Sequence, residues 1–353
     1  MNYRAPKIIK NRKIKFAIVG CGRISSRHLE ALDINSENAD LVAVCDSDES
    51  RIIKSTALGT VESFTTLSQL LRESEADCIA LCTPSGLHPD QTIQIAEAGR
   101  HIITEKPMAT RLSDGRAMVA AADKAGVNLF VVKQNRLNPT LSKLKEALLK
   151  GRFGRIYMAN LNVFWTRPQD YYDSANWRGT WEFDGGALMN QASHYIDLLD
   201  WLIGPIESVH AYTATLARHI EVEDTAVANI KWRHGALGSI NVTMLTYPKN
   251  YEGSVTILGE KGTVEIGGMA LNEIKHWEFE ESTKSDDEVE KENYKIDSVY
   301  GIGHPIYYKN VIDVLRGIST AATDGREGLR SLETLVAIYN SAKTGSRVAL
   351  PLD

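Results

Sequence analysis

Ile14-Lys15-Phe16-Ala17-Ile18-Val19 runs without a break into Gly20-Cys21-Gly22-Arg23-Ile24-Ser25, and this passage decides the fold. Six residues rich in β-branched and aromatic side chains read as a short covered strand, and the pattern after the glycines is helical. The glycines let the chain turn sharply and let a pyrophosphate approach the backbone, while the helix behind them offers its unsatisfied N–H groups to that anion. It is the strand-turn-helix context that makes G-x-G a dinucleotide fingerprint. Ser25 stands where a third Gly or Ala is usual, which loosens helix-on-strand packing and leaves the phosphate cradle in place.

The same alternation continues outward. Leu41–Cys45, Cys78–Cys82, His101–Thr104 and Leu129–Val132 are short, unbroken apolar runs separated by helical patterns, the signature of a doubly wound parallel sheet with helices on both faces. After Asn138 the character changes. A helix at Thr140–Leu149 stops at Gly151, and longer runs follow at Arg155–Trp165, Ile206–Ala214, Thr225–Trp232, Leu237–Thr246, Tyr251–Leu258 and Gly262–Ile266. These alternate polar and apolar positions, so they predict a mostly antiparallel sheet with one face on helices and one open to a partner. A helix within Glu182–Leu202 interrupts them, Glu273–Asp297 reads as a charged hairpin or loop, and a helix near Gly328–Thr344 closes the chain. The expected division is a Rossmann-type domain at 1–135 and an α+β domain at 136–353.

Composition narrows the function. The chain has 353 residues, 43% hydrophobic, with a formal charge of −5, and a chain of this length splits into two cores more readily than it fills one. A nucleic-acid partner would need a basic stripe, and only the short Lys7–Lys15 segment is basic. No apolar run reaches the roughly 18–20 residues of a membrane span. Cys21, Cys45, Cys78 and Cys82 sit mostly in apolar strands, which suggests neither a disulfide framework nor a metal site and fits a cytoplasmic protein.

Four motifs carry chemistry. Asp46 ends the second strand, 24 residues after Gly22, where an acid bonds the ribose 2′-hydroxyl; its alternative is a helix cap. Ser47 and Arg51 beside it are compatible with a phosphate. Thr83-Pro84-Ser85-Gly86-Leu87-His88 follows a strand at the cofactor crevice, or is a loop capping a helix. Thr104-Glu105-Lys106-Pro107 places a charged pair at another strand end, where ligands of open sheets bind; its alternative is a surface ion pair. Asp184-Gly185-Gly186-Ala187-Leu188-Met189-Asn190-Gln191-Ala192-Ser193-His194 opens a helix, and a four-residue spacing puts Asn190 and His194 on one helical face. Taken alone, His194 reads equally as a core histidine bonded to a carbonyl.

The order G-x-G-x-I, C-D, T-P-S-x-x-H, E-K-P, G-G-A-L-x-N-x-x-x-H resembles the glucose–fructose oxidoreductase/inositol dehydrogenase/rhizopine catabolism (Gfo/Idh/MocA) family over essentially the whole chain. The resemblance implies an NAD-dependent dehydrogenase with Lys106 and His194 as its catalytic pair. Its cofactor residues would be Gly20, Gly22, Arg23, Ile24, Asp46, Ser47, Thr83, Pro84, Leu87, His88, Glu105, Lys106, Gln134, Trp177 and Arg178. Substrate contacts would come from Lys106, Arg167, Tyr171, Asn190, Gln191 and His194, and the C-terminal sheet would join copies into a dimer or tetramer. One departure matters: many members carry Asp where this chain has Asn190, and an amide cannot act as a base.

The stretch Trp177-Arg178-Gly179-Thr180-Trp181, then Ala187–Asp197 and Asp200-Trp201-Leu202-Ile203-Gly204-Pro205, resembles the branch of the family that oxidises the 3-hydroxyl of UDP-linked amino-sugar acids. A UDP-sugar is therefore the expected substrate. Arg167, Tyr171, Tyr172, Trp177, Arg178 and Trp181 crowd one segment, as a wall against a diphosphate or sugar acid or as ordinary packing. Two rivals remain: a dehydrogenase of free polyols such as inositol, and a nucleotide-sensing protein without catalysis. An acid at position 46 repels a 2′-phosphate, so NAD is expected to bind at least about tenfold more tightly than NADP. Titration of both cofactors checks this, and equal affinities would remove Asp46 from the site.

Overall fold

The structure is a computed structural model that describes residues 6–55, 61–296 and 301–353. Among these, six strands form one sheet: β1 (Ile14–Val19), β2 (Ala39–Cys45), β3 (Glu62–Phe64), β4 (Cys78–Leu81), β5 (His101–Thr104) and β6 (Leu129–Val131). Their order is β3-β2-β1-β4-β5-β6, and every pair is parallel. β4, β5 and β6 are buried at every residue, as strands covered on both faces must be. The connecting helices are α1 (Ser25–Ile34), α2 (Glu49–Ser55), α3 (Leu67–Glu73), α4 (His88–Glu97) and α5 (Leu112–Ala125). The sheet order reverses at β1 and β4, so their carboxyl ends flank the switch point at which open sheets bind ligands.

The second sheet follows α6 (Pro139–Leu149). Its strands are β7 (Ile156–Phe164), β8 (Ile206–Ala214), β9 (Thr225–Trp232), β10 (Leu237–Thr243), β11 (Glu252–Gly259), β12 (Gly262–Gly267), β13 (Glu273–Phe279) and β14 (Val348–Ala349), with α7 (Gln169–Asp173), α8 (Ser193–Ile203), α9 (His304–Leu315) and α10 (Gly325–Thr344) completing the chain. Their order is β13-β12-β11-β7-β10-β9-β8-β14. The sheet is mostly antiparallel, with one parallel pair at its centre between β7 and β10. Ala159, Leu161 and Val163 are buried while Asn160 and Asn162 between them are only partly so. On the less covered face Ser239 Oγ donates to Asn160 Oδ1 (3.0 Å) and Asn241 Nδ2 to Asn162 Oδ1 (3.0 Å).

One expectation requires correction, the shared helical face of Asn190 and His194. Of the two readings of the charged stretch, Glu273–Phe279 takes the hairpin one: it is an edge strand antiparallel to β12, with Ile274 and Trp277 turned inward among the charges; Asp297 lies outside the described residues. A π-helical turn at Ala187–Gln191 precedes α8, with the Ala192 N–H reaching back to the Ala187 carbonyl (2.9 Å), so Asn190 and His194 do not share one regular helical face. The chain divides into two compact units, the described residues up to Val132 with His304–Leu332, and Lys133–Gly303 with Glu333–Asp353. The first unit is thus discontinuous in sequence. Thr323 binds it to the first sheet by donating its hydroxyl to the Val131 carbonyl (2.7 Å), and α9 binds through Tyr308, whose ring meets Phe16 at 5.6 Å.

In the second unit a buried acid braces the π turn. The Glu223 carbonyl accepts the Ala187 N–H (3.0 Å), and its Oε1 accepts the Leu188 N–H (2.8 Å) and the Tyr339 hydroxyl (2.8 Å). Gly186 makes room: a Cβ there would lie 1.9 Å from Glu223 Oε2. Burial pushes the carboxyl up to about 7 from 4.5, against the opposing pull of its hydrogen bonds. A folded-state value above the unfolded one means that the contribution is whole below pH 4.5 and declines as pH rises towards about 7. Urea unfolding across this range should show a pH-dependent loss of about 3 kcal/mol that Glu223→Gln lacks. Parallel pH curves for the two proteins would contradict this.

Candidate active site

The glycine turn is held from both sides. A Cβ on Gly20, whose φ is +93°, would lie 2.7 Å from the Cys82 carbonyl carbon, so the turns after β1 and β4 meet backbone to backbone. A Cβ on Gly22 would meet nothing within 4 Å, which leaves that face of the turn open to a ligand. The Ser25 hydroxyl donates to the Gly22 carbonyl (2.6 Å), so the departure from Gly/Ala ties the turn to α1. Asp46 Oδ2 accepts the Cys21 N–H (2.7 Å) and Oδ1 the Asp48 N–H (2.9 Å). A carboxylate accepts about four hydrogen bonds, so Asp46 braces the turn and keeps acceptor capacity for a ribose. These residues fit a dinucleotide.

His88 packs between the neighbouring loops. Its ring is fully buried, with Nε2 2.9 Å from the Thr83 carbonyl oxygen and Nδ1 3.0 Å from that of Pro107. Burial lowers the imidazole's pKa towards the neutral form, whose single N–H bonds one of these carbonyls, and the ring fills the space between the Thr83-Pro84 loop and the Glu105-Lys106-Pro107 loop. Thr83 Oγ1 donates to Gln91 Oε1 (2.6 Å), and Leu87 is left 39% exposed at the loop's surface.

Glu105 is buried and does not form the surface ion pair that was its alternative reading. Its Oε1 lies 3.0 Å from His28 Nε2 and 3.7 Å from His304 Nε2, and its Oε2 accepts the Lys106 backbone N–H (3.1 Å). His28 in turn meets the Tyr308 hydroxyl through Nδ1 (2.7 Å). Burial alone would raise the carboxyl, yet the two histidines outweigh it and hold it well below the usual range. Lys106 follows, partly buried, at the end of β5.

In the second unit, His194 lies in the first turn of α8 at 8% exposure, and Gln134 Nε2 donates to its Nε2 (3.2 Å). The segment carrying Gln134 is anchored to α8 by Arg136, which donates Nε and Nη2 to the two oxygens of Asp197, each at 2.7 Å. Lys133 Nζ stands 3.8 Å from the same carboxylate. Asn190 instead donates its amide N–H to Asp184 Oδ1.

Arg167, Tyr171, Arg178 and Gln191 form one connected group. Arg167 Nε donates to Gln191 Oε1 (3.1 Å), Gln191 Nε2 to the Tyr171 hydroxyl (3.1 Å), and Arg178 Nη1 to that same hydroxyl (2.6 Å). The Arg178 guanidinium lies 4.3 Å from the Tyr171 ring centre and 4.5 Å from that of Trp177. Among the described residues no carboxylate ion-pairs with Arg178. Two guanidinium groups presented on aromatic faces can take an anionic ligand.

Sequence reading missed His28, His304, Asp184 and Glu223. His28 had a usable signal, a histidine on the helix behind a glycine turn. His304 had none, being 199 positions from its partner Glu105.

The chain is similar to known proteins over nearly its whole length. The family model described as the NAD-binding Rossmann fold of an oxidoreductase family matches residues 14–133, and that of the same family's C-terminal alpha/beta domain matches residues 145–350. The WlbA dehydrogenase from Bordetella pertussis, solved in complex with NADH and UDP-GlcNAcA, is 60% identical, with a TM-score of 0.95 over 98% of this chain and 100% of that one. The WlbA dehydrogenase from Chromobacterium violaceum, solved with the same two ligands, is 60% identical with a TM-score of 0.94 over 98% and 99% of the two chains. Myo-inositol 2-dehydrogenase of Thermotoga maritima is 27% identical over 71% of this chain and 74% of its own. Matched by both domain models in their proper order, the chain belongs to the Gfo/Idh/MocA family of NAD-dependent oxidoreductases.

Proposed function

We propose that the protein oxidises the 3-hydroxyl of UDP-N-acetyl-D-glucosaminuronate to the 3-keto sugar with NAD, in the cytoplasmic synthesis of surface-polysaccharide sugars. The observation that carries this reading is the Arg167–Gln191–Tyr171–Arg178 group, which sets two fixed positive charges beside the turn holding Asn190. Such a group suits a ligand bearing a diphosphate and a carboxylate, as the co-crystallised sugar nucleotide of the 60% identical relatives does. A free polyol needs neither charge.

NAD, when bound, accepts the hydride. His194 takes the hydroxyl proton on Nε2, displacing the Gln134 amide that donates there, and the Arg136–Asp197 pair holds Gln134's segment. Lys106 donates a hydrogen bond to the reacting oxygen and steadies the charge that develops there. Asn190 orients a hydroxyl. The less covered face of the second sheet, where Met158, Tyr212, Val227 and Leu237 are exposed, is where copies of the chain would associate into a dimer or tetramer. No helix among the described residues is long and apolar enough to cross a membrane.

Lys106→Ala and His194→Ala should each lower kcat roughly 100-fold or more with the fold intact, the usual worth of an acid–base group; near-normal turnover in either would return that residue to a packing role. UDP-N-acetylglucosamine, which lacks only the carboxylate, should lose about 1.5–3 kcal/mol of transition-state binding, or roughly ten- to a hundredfold in kcat/KM, relative to the sugar acid. NADH absorbance followed over a panel of UDP-sugars and myo-inositol measures this. Equal turnover of the neutral sugar nucleotide, or preference for inositol, would overturn the assignment.

A further inference from the structure

The connection from β8 to β9 runs over residues 215–224, far longer than an ordinary hairpin loop of about 2–5 residues, and one buried carboxylate shapes it. Asp224, 0% exposed, accepts the backbone N–H groups of Leu216 (3.0 Å), Ala217 (2.9 Å) and Arg218 (3.0 Å). The loop so folded is fastened to the segment carrying Arg167 and Arg178. His219 donates its N–H to Gln169 Oε1 (2.9 Å), and Glu221 donates its own to the Gly179 carbonyl (3.0 Å). A Cβ on Gly179 would lie 2.7 Å from Ile220 Cγ2, so the loop packs where only a glycine leaves room.

This bracing delivers Arg218. Its Nε donates to the Arg167 carbonyl (2.7 Å), which orients a partly buried guanidinium. Nη1 and Nη2 have no hydrogen-bond or ion-pair partner among the described residues. What remains is a two-nitrogen fork whose spacing matches two oxygens of a carboxylate or a phosphate. We propose that Arg218 is a third cationic contact of the substrate site, gripping an anionic group of the sugar nucleotide, its carboxylate or its diphosphate, through Nη1 and Nη2. The inference rests on the reading above that Arg167 and its neighbours receive a UDP-sugar acid.

The test separates the fork from the strut. Glutamine carries its amide nitrogen as many bonds from the backbone as arginine carries Nε, so Arg218→Gln keeps a donor for the Arg167 carbonyl and removes only the charged fork. In the folded variant KM for UDP-N-acetylglucosaminuronate should rise at least about tenfold, the worth of a charged hydrogen bond, with KM for NAD unchanged. Calorimetric dissociation constants of that sugar acid, of UDP and of UDP-N-acetylglucosamine identify the anion. A rise shared by all three nucleotides places the fork on the diphosphate, and a rise confined to the sugar acid places it on the carboxylate.

A residue that only ties the loop down predicts something else: Arg218→Gln unchanged for every nucleotide, with a loss in Arg218→Ala alone. That result overturns the proposal. So does a loss shared equally with NAD, which marks a general disturbance of the fold. If Arg218→Gln does not fold, phenylglyoxal labelling of the unaltered protein decides. Saturating sugar acid should shield Arg218 from the reagent in a peptide map while NAD leaves it open, and equal labelling under both overturns the proposal. Failure of the unaltered protein to bind any of the three nucleotides sinks the functional reading and the proposal together, whereas firm binding that Arg218→Gln leaves unchanged sinks only the role of Arg218.

Discussion

A carboxylate withdrawn from water must be compensated by protein groups or give up its charge, and the first unit is organised around one such group. Glu105 ends a central strand, yet its compensation comes from α1 through His28 and from α9 through His304. One oxygen draws those helices to the end of β5, and the other fixes the Lys106 backbone N–H. The placement of Lys106 therefore depends on two remote helices as well as on its own loop. Removing the carboxylate would leave buried histidines without their acceptor, so the effect would spread beyond position 105.

The second unit solves a similar problem with a bidentate ion pair. Arg136 and Asp197 are 6% and 2% exposed, and a pair so buried contributes little net stability while being costly to break. Its value is geometric. A planar guanidinium gripping both carboxylate oxygens fixes distance and orientation together, and Gln134, two residues earlier, is delivered to His194 by that grip.

Features that depend on neighbouring residues were legible in the sequence. The apolar strands, the glycine turn and the sheet class follow from periodicity and turn chemistry, and the candidate catalytic lysine and histidine follow from motif order. Features that depend on distant partners were not. The parallel contact of β7 with β10 joins runs some eighty residues apart, and no local pattern distinguishes it from antiparallel pairing. β13 could not be told from a loop because an edge strand carries charges on its open side, so Ile274 and Trp277 are diluted by Glu and Lys. The π turn follows from Glu223 and Gly186, which meet only in the folded chain. Asp184 was visible as a residue and not as a partner, since six positions of separation within a turn do not reveal which side chains touch.

The discontinuity of the first unit bears on how members of such a family can exchange parts. A nucleotide-binding piece cut after Val132 would carry Glu105 and His28 but lack His304 and Tyr308, and the strand edge at Phe130, which bridges to Asp324, would stand open. Such a fragment would expose an apolar seam and an unpaired edge, the conditions that favour aggregation. Recombination that keeps this half functional has to move two stretches of sequence together. Inheritance of the cofactor side is thereby linked to the stretch His304–Leu332.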